Sequence, residues 1–181
     1  MKKNFLTILF VLIGLGTSYA QSINWVSFEK ALEMQKKNPK KIFMDVYTDW
    51  CGPCKMLDAQ TFKNPDVVKY INENYYAVKF NAEGNESVTY MGNTYTNPLY
   101  VEGKTGRNGV HQLTSALGVS AYPTMIFFDE KGTIISPIKG FHKAKEIEIY
   151  LKVFAKDEYK KLDTQQKWEE YQKNFKGTFA G

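Results

Sequence analysis

Along this chain the spacing of apolar positions changes between a helical and an extended period, and the changes mark out the elements. Trp25, Phe28, Ala31 and Leu32 recur at helical spacing until Asn38-Pro39 interrupts them, which predicts an amphipathic helix ending there. Lys41 to Tyr47 (KIFMDVY) is a continuous apolar run broken by one acid, as in a central strand buried on both faces. A helix is expected from the two cysteines to about Phe62. Asn64-Pro65 reads as an N-cap followed by proline at the first helical position, opening a helix to about Asn72. Tyr75 to Phe80 (YYAVKF) is a second strand.

From Ala82 to His111 the helical period disappears and Gly, Asn, Thr and Tyr dominate. Within that stretch VTYMGNTYT predicts a small hairpin. A short helix follows from Gln112 to Leu117, with Gly118 placed to close it. Tyr122-Pro123-Thr124 leads into a third strand (MIFF), the turn Asp129 to Gly132 into a fourth over Thr133 to Lys139, and a helix is expected from about Lys143 to Phe154. The tail from Lys156 to Gly181 carries Tyr159, Leu162, Trp168, Tyr171 and Phe175 among charges, a pattern for a helix packed on the domain's own surface. Alternating helices and strands, then a hairpin and a helix, indicate an α/β sandwich with a mixed sheet.

The first twenty residues read differently. Lys2 and Lys3, the short apolar run Phe5 to Gly16 and the small-x-small pattern Ser18-Tyr19-Ala20 form a secretory leader cleaved after Ala20, with a retained anchor as the alternative. The apolar run is shorter than the ~20 residues a membrane span needs. Export, most naturally to a periplasm, is the expected localisation. Removing the leader lowers the formal charge of the 181-residue chain from +5 to +3. That surplus is spread along the sequence, and clusters such as Lys36-Lys37 and Lys40-Lys41 read as solvated ends of elements, so no nucleic-acid partner is expected. Asn85-Glu86-Ser87 is a sequon by pattern only.

Both cysteines lie in MDVYTDWCGPCKML, as Cys51 and Cys54. A bridge between them closes so short a loop that it restricts the unfolded chain by only about 2 kcal/mol, which makes a structural staple a poor explanation. Structural zinc requires four ligands. His111 and His142, the only histidines, stand apart in expected loops, so no metal is expected. A redox couple accounts for the context better. Cys51 ends a buried strand and opens a helix, where free N–H groups and the helix dipole favour a thiolate. Gly52 is expected to let the chain turn sharply, and Pro53 suits the first helical turn. Cys51, nearest the exposed end, would be the nucleophile, and Cys54, one turn inward, the resolving thiol. Asp45, alone in IFMDVY, should have its pKa raised by burial.

WCGPCK, from Trp50 to Lys55, resembles the active site of the thioredoxin family. Asp45 matches the buried acid that serves proton transfer at the second cysteine in that family, and Lys79 in AVKFNAE matches the strand lysine beside it. Tyr122-Pro123-Thr124 resembles the X-cis-Pro-Thr segment that faces the cysteines and pairs with substrate backbone. Gly140 matches a glycine bordering the substrate groove, which Trp50, Gly52, Pro53 and Tyr122 would also line. The resemblance covers roughly Lys40 to Phe154. It implies a thioredoxin-like α/β fold over residues 21–155, a central mixed β-sheet flanked by helices, with an insertion at about 84–110 and a C-terminal helical extension over 156–181. That insertion is longer than the family's usual connection, and its Tyr90, Tyr95 and Tyr100 could shape a substrate surface.

The implied activity is thiol–disulfide exchange with exported, disulfide-containing proteins, needing no cofactor beyond the Cys51–Cys54 disulfide. Gly-Pro between the cysteines resembles reducing members of the family. A reductase would need an electron donor, such as a membrane thiol-reducing system. A disulfide oxidase or isomerase is the nearest alternative. A non-catalytic binding module that uses the insertion and the tail is another.

Overall fold

A computed structural model describes residues 22–181; the leader read in residues 1–20 lies outside the described residues. Strand β1 (Trp25–Val26) precedes helix α1 (Phe28–Lys37), strand β2 (Lys41–Tyr47) and helix α2 (Gly52–Met56), which continues as a π-helical turn over Leu57–Thr61. Helix α3 (Pro65–Asn74), strand β3 (Tyr75–Asn81), the hairpin β4 (Val88–Tyr90) and β5 (Asn93–Tyr95), and helix α4 (Gln112–Ala116) follow. Strands β6 (Thr124–Phe128) and β7 (Ile134–Lys139), helix α5 (Ala144–Ala155), a 3₁₀ turn (Glu158–Lys161) and helix α6 (Gln165–Asn174) complete the chain.

The main sheet has the order β1-β3-β2-β6-β7. Strands β1, β3 and β2 run parallel, while β6 is antiparallel to both β2 and β7. Because side chains alternate across a strand, the odd and even positions supply two cores. Phe43, Tyr75, Ala77, Met125 and Phe127 face α3 and α5. Ile42, Met44, Val78, Phe80, Ile126 and Phe128 face α1, α4 and the small hairpin. This is the expected mixed sheet with helices on both sides.

Local signals account for most boundaries. Asn64 Oδ1 accepts from the N–H groups of Asp66 and Val67, and Pro65 occupies the first turn of α3. Gly118 has φ +69° at the end of α4, a conformation glycine adopts without a Cβ penalty. Trp25 is a correction: it lies in β1, paired with Ala77, and not in the helix its spacing suggested. Ser27 explains the difference, since its hydroxyl accepts from Lys30 N–H at 3.2 Å and starts α1 only after it. Trp25 instead packs on Phe43 and Phe62.

The C-terminal extension folds back on the domain, as its aromatic spacing suggested. Trp168 stacks on Tyr150 of α5, and Phe179 is buried against Tyr70 of α3. A fully buried carboxylate, Glu148 of α5, anchors the last residues. It accepts from Thr178 N–H at 2.6 Å and Phe179 N–H at 3.1 Å and pairs with Lys152. Burial by itself would raise its pKa, but the Lys152 ammonium and the two backbone donors outweigh burial and hold it below its ordinary value of 4.5. A carboxyl depressed on folding stabilises the protein above its unfolded pKa, and that contribution is lost as pH falls through the folded value. Glu148→Ala should therefore cost about 3 kcal/mol at pH 7 in urea unfolding, the scale for breaking a buried pair, and should speed hydrogen exchange at residues 176–181. The difference between the two proteins should shrink at acid pH.

Candidate active site

The polypeptide leaves the carboxyl end of β2 through a tight turn in which Cys51 N–H donates to the Thr48 carbonyl at 3.1 Å. Cys51 then caps α2, its Sγ accepting from the N–H of Cys54 at 3.1 Å. Cys51 and Cys54 are joined by a disulfide and are only 3% and 2% exposed. Pro53 sits in the first turn, as its missing N–H allows. Gly52 begins α2 without a positive φ, so its backbone conformation does not itself require glycine. A Cβ there would meet nothing within 4 Å, so what glycine leaves at this position is open space beside Cys51.

Beneath this helix lies a cluster of three charges. Asp45 projects on the same sheet face as Phe43, the face that α2 and its π-helical continuation cover. Lys79, its neighbour in register on β3, places Nζ 3.3 Å from Asp45 Oδ2 and also pairs with Asp58. Neither Asp45 oxygen accepts a well-aligned hydrogen bond among the described residues, so the Lys79 contact is an ion pair rather than a full hydrogen bond. The ammonium is further enclosed by the rings of Tyr47, Trp25 and Phe62 at 5.0, 5.4 and 5.7 Å. Burial pushes the Asp45 carboxyl up to about 6, against the opposing pull of Lys79 and with a further push from the negative charge of Asp58. Asp58 was missed in the sequence. Its one signal was position: it follows Cys54 by one helical turn, and neighbours at that spacing share a helix face.

An open groove of about 590 Å³ runs past the disulfide, and Trp50, Cys51, Gly52, Pro53 and Tyr122 line one part of it. Cys51 reaches the groove and Cys54 does not. The Trp50 and Tyr122 rings meet edge to face at 5.9 Å. Pro123, joined to Tyr122 by a cis peptide, and Thr124 are buried. The Thr124 hydroxyl donates to the Ala121 carbonyl at 2.8 Å, and Gly140 N–H donates to the Pro123 carbonyl at 2.8 Å. These three residues thus support Tyr122 from behind, while Tyr122 itself stands in the groove. Gly140 has φ +91°, where a side chain would be strained.

The opposite wall comes from the segment 84–110, through residues that sequence reasoning did not single out. Tyr90, Tyr95 and Tyr100 do not line this groove; Arg107, Asn108 and Val110 do. Glu83, only 8% exposed, accepts through Oε2 from Trp50 Nε1–H at 2.9 Å and from Asn108 N–H at 2.8 Å. One carboxylate oxygen therefore ties the tryptophan beside Cys51 to the loop across from it. Asn97 holds the base of the segment, donating to the carbonyls of Gly84 and Gly109. Gly109 packs against the Leu99 backbone, where a Cβ would lie 2.4 Å from the Leu99 carbonyl oxygen. His111, expected in a loop, is buried and caps α4. Its Nδ1 accepts from Leu113 N–H, which leaves Nε2 to donate to the Glu86 carbonyl. Among the described residues no three His, Cys, Asp or Glu side chains converge as a metal site.

Comparison with known proteins fits this geometry. A family profile described as a thioredoxin-like domain matches residues 28–155. The thiol:disulfide interchange protein DsbD of Pectobacterium atrosepticum is 23% identical over 147 residues, which cover 78% of this chain and 22% of that protein. DsbD of Photorhabdus laumondii is 27% identical over 143 residues, 77% of this chain and 20% of its own length. The chain thus spans about a fifth of the length of these curated relatives. Among solved structures, a thioredoxin-fold protein from Helicobacter pylori superposes with a TM-score of 0.57 at 16% identity, covering 75% of this chain and 81% of that one. With a family match over well more than half its length, and a disulfide-bonded C-x-x-C pair between the central strand and a helix, the chain belongs to the thioredoxin-like domain family.

Proposed function

We propose that this protein is a thiol–disulfide oxidoreductase that reduces disulfides in exported proteins. The observation that carries the reading is the asymmetry of the pair: Cys51 lines an open groove, and Cys54, one turn inward, does not. In the reduced protein the Cys51 thiolate attacks one sulfur of a substrate disulfide, forming a mixed disulfide and expelling the other sulfur as a thiolate. The Cys54 thiol gives up its proton and attacks Cys51 Sγ. That step releases the second substrate thiolate and restores the Cys51–Cys54 disulfide. Two electrons pass to the substrate, and the released thiolates take up two protons. A dithiol donor must then return two electrons to the pair. The family likeness to thiol:disulfide interchange proteins supports both halves of this cycle.

The surroundings supply the other requirements. The N–H that Cys54 donates to Cys51 Sγ favours a thiolate there. Asp45, with its carboxyl near 6, can hold the proton that Cys54 releases, and Lys79 keeps the spent carboxyl from being an isolated charge. Neither the N–H nor the carbonyl of Tyr122 finds a backbone partner among the described residues, so an extended substrate can pair with them as an added strand. Trp50, Gly52 and Pro53 border that strand; Pro123, Thr124 and Gly140 fix the position of Tyr122. Export through the leader over residues 1–20, to a periplasm, would bring the protein to its substrates.

Three measurements test this reading. The midpoint potential of the Cys51–Cys54 couple should lie near about −270 mV in glutathione or dithiothreitol buffers, as for a reductant; about −120 to −180 mV would instead mark an oxidant or isomerase. Cys54→Ala should accumulate mixed disulfides with exported proteins that dithiothreitol releases, and Cys51→Ala should accumulate none. Asp45→Asn probes the proton. Because the folded carboxyl sits at about 6 against an ordinary 3.8, its charge costs stability increasingly as pH rises from about 4 to about 6, and fully above that. The variant should gain about 3 kcal/mol in the disulfide form at pH 7 and well under 1 kcal/mol at pH 4, as read by urea unfolding. Its release of mixed disulfide should be slower and should lack the wild-type rise through pH 6.

A further inference from the structure

Arg107 is the only arginine in the chain; the other 23 cationic side chains are lysines. It stands at the groove, with its guanidinium 4.5 Å from the centroid of the Trp50 ring. A guanidinium held over an aromatic face is attracted to the ring without spending its N–H donors on it. Among the described residues those donors have neither a carboxylate nor a carbonyl partner. The position is prepared rather than loose. Asn108 Oδ1 accepts from Val101 N–H, its Nδ2 donates to the Val101 carbonyl, and its own N–H is held by Glu83. Little ordering is therefore left to be done when a ligand arrives.

The rest of the groove sets the sign of its charge. Glu83 is the acid in its wall; its Oε2 is turned to the N–H groups of Trp50 and Asn108, and its charge is matched by that of Arg107. Lys139 adds a second cation at the edge, donating to Ser120, which also lines the groove. Val110 and Trp50 supply apolar surface beside Arg107. Taken together, the groove presents an open two-pronged donor next to Cys51.

We propose that Arg107 is the specificity-determining residue of this groove, and that the favoured substrate is an extended polypeptide with Asp or Glu within a few residues of its disulfide cysteine. The inference rests on the oxidoreductase reading above and names the substrate class for the same site. An aspartate or glutamate side chain in a substrate strand paired with Tyr122 would meet the guanidinium edge across the groove, and a lysine there would meet like charge.

The test uses the full chain, reduced beforehand, and two disulfide-linked peptides of one sequence that carry either Glu or Lys on both sides of the cysteine. The quantity read is the ratio of their reduction rates, since any loss of packing on Trp50 would lower both rates together. At low salt the Glu peptide should react about fivefold faster, in keeping with an exposed ion pair, and the ratio should approach one in about 1 M salt. Arg107→Gln should bring the ratio close to one at low salt, and Arg107→Glu should invert it. Equal rates for the wild-type chain, or a Glu preference that survives Arg107→Glu, would overturn the inference. Hydroxyethyl disulfide, which is small and uncharged, separates the two levels of argument. If the wild-type chain reduces it without discriminating between the peptides, only the role of Arg107 falls. If it reduces none of the three, the oxidoreductase reading falls and this inference with it.

Discussion

Strand β2 is hydrogen-bonded along both edges, to β3 and to β6, and almost every residue of it is buried. Each other element is placed by reference to it. Its even positions feed one core and its odd positions the other, so a slip of one residue would exchange the two faces. The strand's carboxyl end fixes where Cys51 emerges. Its register with β3 sets Lys79 beside Asp45, and its register with β6 brings the segment before Thr124 alongside the cysteines.

An acid in the middle of such a strand conflicts with the core that surrounds it. Burying a carboxylate is costly unless it is paired, and the pairing here is incomplete. Lys79 shares its charge with the more exposed Asp58, and Asp45 keeps two oxygens without aligned donors. The carboxyl is consequently poised to take up a proton near pH 6, which a fully satisfied ion pair would not be. A site that stores this much electrostatic cost beside a redox pair is where a departure from core-packing rules is expected.

Glu83 plays the complementary part on the far side of the disulfide. One oxygen accepting two N–H donors joins Trp50 to Asn108, so that the part of the 84–110 segment beyond its hairpin becomes an ordered wall. The same contact holds Arg107 over the indole. Glu148 uses the same device at the C-terminal extension, gathering the backbone of Thr178 and Phe179 onto α5. Two buried carboxylates thus order the two stretches of chain that the hydrophobic pattern describes least well.

What the sequence determined by itself follows from signals carried by neighbouring residues. Continuous apolar runs marked β2 and β3, Asn64-Pro65 marked the start of α3, and the single acid in KIFMDVY announced a raised pKa. The spacing of Cys51 and Cys54 between strand and helix pointed to the redox pair. Where a local cap was overlooked, as at Ser27, an element was misplaced, and Trp25 was put in a helix instead of in β1. Contacts across long separations had no such signature. Glu83 meets Trp50 across 33 residues and Glu148 meets Phe179 across 31, and a glutamate bound for such a contact looks like any surface glutamate in the sequence. Asp58 joined Lys79, and Arg107 rather than the tyrosines came to face the groove, because register and loop closure bring those groups together. Periodicity reports which face of an element is buried; only the tertiary structure decides which polar groups meet once those faces are packed.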